Sequence, residues 1–79
     1  MSDEKVMERL QQVFDRVFVD PPTLRMDLQA SEVPEWDSLK HVELLIAVEK
    51  EFSPNLTVGE MTSIQQVGDL VRILAQRQG

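Results

Sequence analysis

The stretch that decides the fold is "PEWDSLKHVELLIAVEKEF", Pro34 to Phe52. Asp37 is a residue type that caps helix N-termini, and the sequence after it predicts a helix over about residues 38–52. At about 100° per residue, one side of that helix carries a first apolar stripe, made of Leu44, Leu45, Val48 and Phe52. A second apolar stripe is displaced from the first and flanked by Glu43 and Glu49; it consists of Leu39, Val42 and Ile46.

Two apolar stripes on one helix are more than a single core contact requires. Either both stripes are buried in a compact bundle, or the second stripe docks other proteins through an apolar patch with a charged rim. The pattern of this helix leaves both interpretations open.

The N-terminal segment predicts an amphipathic helix over about residues 3–18. Its apolar face consists of Val6, Leu10, Val13, Phe14 and Val17. Ser2 is a candidate N-cap, and the "DPP" at 20–22 ends the helix because proline cannot continue it.

From Val19 to Asp37 the sequence has no steady period and is interrupted by prolines. A connection of this length in a small domain is usually functional or packs as a crossover. We expect its apolar residues to pin it to the core; these are Leu24, Met26, Leu28 and Val33.

Two capping-box spacings after "SPN" at 53–55 predict two more helices. Thr57 and Glu60 predict a short helix near 57–62, and Ser63 and Gln66 predict a final helix over about 64–77, with Gly79 suited to its end. The inward face of the final helix would consist of Ile64, Val67, Leu70, Val71 and Leu74. The predicted fold is all-α: one domain over 1–79, a bundle of three main helices plus one short helix, with a long loop between helices one and two.

Composition limits the function of these 79 residues. A chain this small supports one modest core rather than a deep catalytic cleft. The formal charge of −6 disfavours nucleic acid as a partner and favours proteins with basic patches. There is no cysteine and His41 is the one histidine, so no usual zinc site is predicted. No apolar run reaches the length of a membrane span and the N-terminus does not resemble a signal peptide, so we expect a cytoplasmic protein.

Ser38 stands where an acidic loop meets an apolar helix, and four roles are compatible with that position. It could be an ordinary helix start, or part of a non-covalent adaptor that uses the helix as a docking face. Asp37, Ser38 and His41 contain the residue types of a hydrolase triad, but His41 follows Ser38 on the same helix with no spare chain for a substrate pocket. Covalent attachment of a phosphate ester is the fourth role, because a helix N-terminus stabilises a phosphodiester.

The run "DSLKHVELLIAVEKEF", Asp37 to Phe52, resembles the acyl carrier protein family, whose hallmark is a serine in a DSL motif that opens helix two. The "VGDLV" at 67–71 resembles the start of the family's last helix, at a compatible spacing. The resemblance covers nearly the whole chain and implies a freestanding carrier, a monomer that is not itself an enzyme.

The resemblance also implies a site and partners. Ser38, flanked by Asp37 and Leu39, would carry 4′-phosphopantetheine, transferred from coenzyme A by a magnesium-dependent phosphopantetheinyl transferase. The thiol of this 4′-phosphopantetheine group would hold acyl groups as thioesters for acyl-loading and acyl-processing enzymes of fatty-acid, polyketide or specialised biosynthesis. An aminoacyl or peptidyl carrier and a non-covalent helical adaptor are the alternatives.

Position in the matching helix implies two sets of lining residues. The partner-binding set consists of Trp36, Leu39, Val42, Glu43, Ile46 and Glu49. The set lining the core or a small acyl-accommodating cavity consists of Leu45, Val48, Phe52, Leu56, Met61 and Ile64.

Glu35 and Trp36 depart from the family pattern, in which many members have glycine and a small residue at these positions. "WDSL" is similar to a subset of freestanding carriers from specialised pathways, although these often have glycine where this chain has Glu35. Trp36 either packs against the loop or is a recognition handle beside Ser38. The departures leave open which transferase and partners fit.

Overall fold

The computed structural model describes residues 2–78, apart from the side chain of Gln78, and its main elements are helices. Four α-helices follow one another as α1 (Asp3–Val17), α2 (Ser38–Phe52), α3 (Val58–Ser63) and α4 (Val67–Gln78). A 3-10 turn, Ala30–Glu32, lies in the loop between α1 and α2. The predicted all-α bundle, with three main helices, one short helix and a long first loop, is confirmed.

Three helix starts are capped by the side chains that the sequence indicated. The Ser2 hydroxyl accepts a hydrogen bond from the backbone N–H three residues later, at 3.4 Å. At α2, Asp37 Oδ1 accepts from the Lys40 backbone N–H at 2.8 Å. At α3, Thr57 and Glu60 form the predicted capping box with bonds of 3.1 and 3.0 Å. These bonds satisfy N–H groups that have no partner inside a helix.

The predicted start of the last helix is wrong, because α4 begins at Val67 rather than near residue 64. Ser63 does not cap it together with Gln66; the Ser63 hydroxyl donates to a carbonyl of its own helix at 3.0 Å. The capping carboxylate is Asp69, which reaches back from the first turn. It accepts from the backbone N–H groups of Gln65 and Gln66 at 3.1 and 3.3 Å.

Residues 64–66 stay out of the helix because their backbone pairs with the long loop. The Ala30 N–H donates to the Gln65 carbonyl at 3.0 Å, and the Val67 N–H donates to the Leu28 carbonyl at 2.9 Å. A helix that began three residues earlier would lose these bonds. The predicted role of Gly79 lies outside the described residues.

The long loop is anchored by side chains and by one close backbone contact. Leu28 and Val33 are buried as expected, and Leu24 packs against the core from a half-buried position. Met26 is 37% exposed and anchors less through its side chain, but its carbonyl accepts from the Gly68 N–H at 2.7 Å. A Cβ on residue 68 would lie 2.7 Å from the same oxygen, so this approach requires glycine.

One apolar core lies among α1, α2 and α4. Among the residues that the structure describes, ten side chains are fully buried in it: Val6, Leu10, Val13, Phe14, Leu44, Val48, Val67, Leu70, Val71 and Leu74. The first stripe of α2 is buried as predicted, as are Leu56 and Ile64, whereas Met61 is half-buried. Burial of each large aliphatic side chain contributes about 1.5–3 kcal/mol, so this core is the main source of stability. No helix in the described part of the chain is both long and apolar enough to cross a membrane.

Candidate functional site around Ser38

Ser38 is the first residue of α2, and its side chain is exposed. Within the described part of the chain, its hydroxyl makes no hydrogen bond. An open cavity of about 310 Å³ lies beside it, lined by Ala30, Trp36, Asp37, Ser38, His41 and Ile64. A hydroxyl with no protein partner, next to open space, is accessible to a reagent or a modifying enzyme.

Asp37 caps the N-terminus of α2, next to the Ser38 hydroxyl. Its Oδ1 accepts from the Lys40 N–H, and its carbonyl accepts from the His41 N–H, both at 2.8 Å. The N–H groups of Ser38 and Leu39 have no acceptor among the described residues. Since the first N–H groups of a helix carry its positive partial charge, these two are available to an anionic oxygen.

His41 is not arranged as the base of a hydrolase. Trp36 Nε1–H donates to His41 Nδ1 at 3.0 Å, and His41 Nε2 lies 3.1 Å from the Met61 carbonyl oxygen. Because Nδ1 accepts, the ring proton belongs on Nε2, which donates to Met61. Both ring nitrogens are therefore engaged away from Ser38 and Asp37, and the triad interpretation lacks its required geometry.

Trp36 is part of the core and packs on two rings of α1 and its C-cap. Its side chain is 5% exposed. The ring stands edge-on to Phe14 at 5.3 Å and to Phe18 at 6.2 Å between centroids. Such aromatic pairs add about 0.5–1.5 kcal/mol beyond their buried area. Packing in the hydrophobic core therefore holds Trp36, the residue before Asp37, in place.

Glu35 ties the end of α1 to the loop before Ser38. Its carboxylate accepts from the backbone N–H of Val19 at 2.7 Å and of Asp20 at 3.1 Å. Lys40 Nζ lies 3.6 Å from the same carboxylate. These contacts, led by the Val19 hydrogen bond, lower the pKa of Glu35 below its usual value. Glu35, one of the two departures from the family pattern, thus positions the backbone around the site.

The chain is similar to the acyl carrier proteins of Rickettsia massiliae, Rickettsia typhi and Rickettsia prowazekii. Each is 30% identical to it over 76 residues, which is 96% of this chain and 85% of the relative. This chain belongs to the acyl carrier protein family. No protein-family model matches it, and no solved structure does. The all-helical fold of this member of the acyl carrier protein family agrees with the assignment.

The second apolar stripe of α2 lies on the surface of the protein. Leu39 is 70% exposed, Val42 55% and Ile46 54%. The interpretation that both stripes are buried is therefore wrong. Large apolar side chains that are exposed side by side on one helix face are typical of an interaction surface, so docking by this stripe stays a prediction.

The two carboxylates that flank the stripe differ in their contacts. Glu43 has a half-exposed side chain and pairs with Lys40 Nζ at 3.2 Å. Glu49 accepts from the Leu56 backbone N–H at 2.9 Å, so it also ties down the segment after α2. An apolar groove of about 150 Å³ lies beside the stripe, lined by Val42, Leu45, Ile46, Glu49 and Met61.

The sequence missed two features of the site: the Trp36–His41–Met61 hydrogen-bond chain and the contacts of Glu35. Neither leaves a periodic signal, because each joins segments that are distant in sequence. The Trp36–His41 spacing of five residues across a helix start was the one local sign that the two rings could meet.

Proposed function

We propose that this protein is an acyl carrier protein, which carries acyl groups as thioesters on 4′-phosphopantetheine attached to Ser38. The observation that supports this most is the exposed Ser38 hydroxyl, which has no hydrogen-bond partner in the described part of the chain and opens α2 in a member of that family. Ser38 is a tether in this proposal, and the protein supplies position and recognition.

The residues around Ser38 fit such a group. The free N–H groups of Ser38 and Leu39 and the positive end of the α2 dipole suit the oxygens of a phosphodiester. Asp37 is the nearest carboxylate in sequence, and its Oδ1 is engaged by the Lys40 N–H. When bound, the group supplies a thiol that forms thioesters, while Ser38 and the helix end fix where its arm begins.

Attachment is a phosphoryl transfer from coenzyme A. The Ser38 oxygen forms a bond to the phosphorus that bears the pantetheine arm. The anhydride bond to the nucleotide part breaks, 3′,5′-ADP leaves, and the hydroxyl proton is released. A separate magnesium-dependent transferase would bring these reactants together.

The second stripe of α2 is the proposed docking surface for that transferase and for acyl-loading and acyl-processing enzymes. Leu39, Val42 and Ile46 supply exposed apolar area next to Ser38, and Glu43 supplies negative charge at the rim. The chain carries a net charge of −6, so the matching partner has an apolar patch ringed by basic residues. We leave Trp36 off this surface because it is buried.

The test is to incubate the protein with coenzyme A, magnesium and a broad-specificity transferase and to measure the intact mass. We expect one phosphopantetheine per chain. Ser38→Ala should gain none, and Ser31→Ala, which removes another exposed serine hydroxyl, should be loaded like the parent. A folded parent that gains no mass would favour a non-covalent adaptor that has kept the fold. The mass of the loaded protein from its native cells would separate acyl from aminoacyl cargo.

A further inference from the structure

Basic side chains of α1 and α2 meet at the end of α2 that is farther from Ser38. They lie around an open cavity of about 290 Å³, which is lined by Arg16, Ala47, Lys50 and Glu51. Arg16 is in the last turn of α1, and Lys50 is in the last turn of α2. A cation in the last turn stabilises the helix dipole, but that role requires neither a cavity nor unused hydrogen-bond donors.

Glu51, the acidic residue in the cavity wall, is already paired within the protein. Arg9 Nε and Nη2 donate to Glu51 Oε2 at 3.3 and 3.0 Å, and Nη2 also donates to the Glu51 backbone carbonyl at 2.8 Å. The Arg9 guanidinium carbon lies 4.5 Å from the centre of the Phe52 ring. Charge-assisted hydrogen bonds of this kind are strong, so Arg9 neutralises the Glu51 carboxylate.

Arg16 and Lys50 keep hydrogen-bond donors for another partner. Arg16 Nη2 donates to Glu51 Oε1 at 3.2 Å, which is the one side-chain contact of Arg16 in the described part of the chain. A guanidinium has five N–H donors, and the Arg16 side chain is 62% exposed. Lys50 is exposed and makes no hydrogen bond or ion pair among the described residues. No acidic residue stands three or four positions from Lys50, the spacing at which helical side chains meet.

The cavity adjoins the proposed docking surface. Lys50 follows Ile46 of the second stripe by four residues, and Ala47 lies between Glu43 and Lys50 on the same side of α2. Glu43 and Lys50 are about 10 Å apart along the helix axis, or nearly two turns. The docking surface therefore has a carboxylate near Ser38 and basic groups with unused donors at its other end.

We infer that Arg16 and Lys50 form a basic site that binds an acidic side chain of a partner protein. The carboxylate of the partner enters the cavity beside Ala47 and accepts hydrogen bonds from the unused N–H groups of Arg16 and Lys50. The partner thus presents a basic residue to Glu43 and an aspartate or glutamate about 10 Å away, and the two charges fix its orientation over Ser38. This inference rests on the proposed docking surface of α2 and extends it.

The experiment uses two synthetic helical peptides that differ in one residue. Each has a face of leucines for the second stripe and a lysine for Glu43; seven residues after the lysine, one peptide has glutamate and the other glutamine. We expect the parent protein to bind the glutamate peptide about tenfold more tightly in fluorescence anisotropy, because hydrogen bonds between charged groups are strong. The net charge of −6 alone would favour the glutamine peptide, so this preference has the opposite sign to general charge attraction.

Protein variants show whether the preference comes from this site. Arg16→Gln and Lys50→Gln each remove a cation and should reduce the preference to about twofold or less, as expected for loss of a charge-assisted hydrogen bond. Ala47→Leu fills the cavity without a change of charge and should have the same effect. Arg72→Gln is the matched control, because Arg72 is 60% exposed, has one ion pair and lies on α4. Circular dichroism shows that each variant keeps its helix content.

Two outcomes would overturn the basic site. One is a glutamine peptide that binds the parent as tightly as the glutamate peptide or more tightly. The other is an Arg72→Gln protein that loses the preference as fully as Lys50→Gln does. If neither peptide binds the parent, the docking surface and this inference fail together. Failure of the proposed attachment at Ser38 is seen separately, because the parent would then gain no mass from coenzyme A.

Discussion

The Glu35 carboxylate accepts a hydrogen bond from the Val19 backbone N–H at 2.7 Å, which joins the end of α1 to the loop that leads into Ser38. A second bond from the Asp20 N–H, at 3.1 Å, makes the clamp bidentate. The glycine that is common at this position in the family could not make either contact. The segment before the serine is therefore fixed by a charged side chain in this protein.

The Glu35 clamp predicts a particular dependence of stability on pH. Folding lowers the pKa of the Glu35 carboxyl group. The contribution of Glu35 to the unfolding free energy is therefore fully present above its unfolded-state pKa and is lost as pH falls through its folded-state pKa. Glu35→Gln should therefore reduce the acid-side slope of the unfolding free energy, measured by urea denaturation over a series of pH values. Glu8→Gln removes an exposed carboxylate with no hydrogen bond in the described chain and is the control. Equal slopes for Glu35→Gln and the parent would contradict the clamp.

The Asp37 cap should stabilise α2 independently of any modification. Asp37→Ala removes the acceptor for the Lys40 N–H and should lower the unfolding free energy by about 1 kcal/mol. Asp37→Asn keeps an acceptor oxygen and should cost much less. Chemical denaturation of the unloaded proteins measures both. If the two variants lose the same stability, the cap hydrogen bond is not the reason for it.

Gly68 and Gly59 should respond to alanine in opposite directions. A Cβ at residue 68 would lie 2.7 Å from the Met26 carbonyl oxygen, so Gly68→Ala should destabilise the fold by about 1–3 kcal/mol. At residue 59 the nearest atom is 3.9 Å away, and Gly59→Ala should stabilise α3 by about 0.5–1 kcal/mol because alanine favours helix. Thermal unfolding checks both. A neutral Gly68→Ala would mean that the loop does not approach α4 this closely.

The docking surface predicts a loss of partner binding without a loss of structure. Ile46→Ala removes exposed apolar area, and Glu43→Lys reverses a rim charge. Each should weaken transferase binding about fivefold or more, the effect of roughly 1 kcal/mol at an interface, while circular dichroism shows unchanged helix content. Val19→Ala removes an even more exposed apolar side chain outside α2 and is the control. The surface is wrong if both α2 variants bind like the parent.

Sequence periodicity was sufficient for the helices, because each main helix presents one continuous apolar face to the core. The faces of α1 and α2 and the caps Ser2, Asp37 and Thr57 were predicted from local patterns. The start of α4 was not, because the pairing of residues 64–66 with the long loop overrode a local capping-box spacing. Asp69 caps α4 from inside its first turn and follows Gln66 by three residues, but glutamine is not a usual N-cap residue type, so this spacing gave no signal.

The candidate site was also predictable only in part, because several of its contacts join segments that are distant in sequence. Ser38 follows from the motif, and the exposure of the second stripe was one of two open interpretations. Trp36 and His41 are five residues apart, but their contact depends on burial of the indole against α1, which this spacing alone does not specify. The Glu35 carboxylate accepts hydrogen bonds from backbone N–H groups sixteen and fifteen residues away, at two residues that follow the end of α1.

The measurement that tests the central claim most directly is to locate the added mass after incubation with coenzyme A, magnesium and a transferase. Fragment-ion mass spectrometry of the loaded protein should place a single phosphopantetheine on Ser38, and the adduct should then accept an acyl group as a thioester that hydroxylamine removes. An adduct on another residue, or a folded protein that stays unmodified while a known carrier in the same tube is fully loaded, would contradict the assignment of Ser38 as the tether.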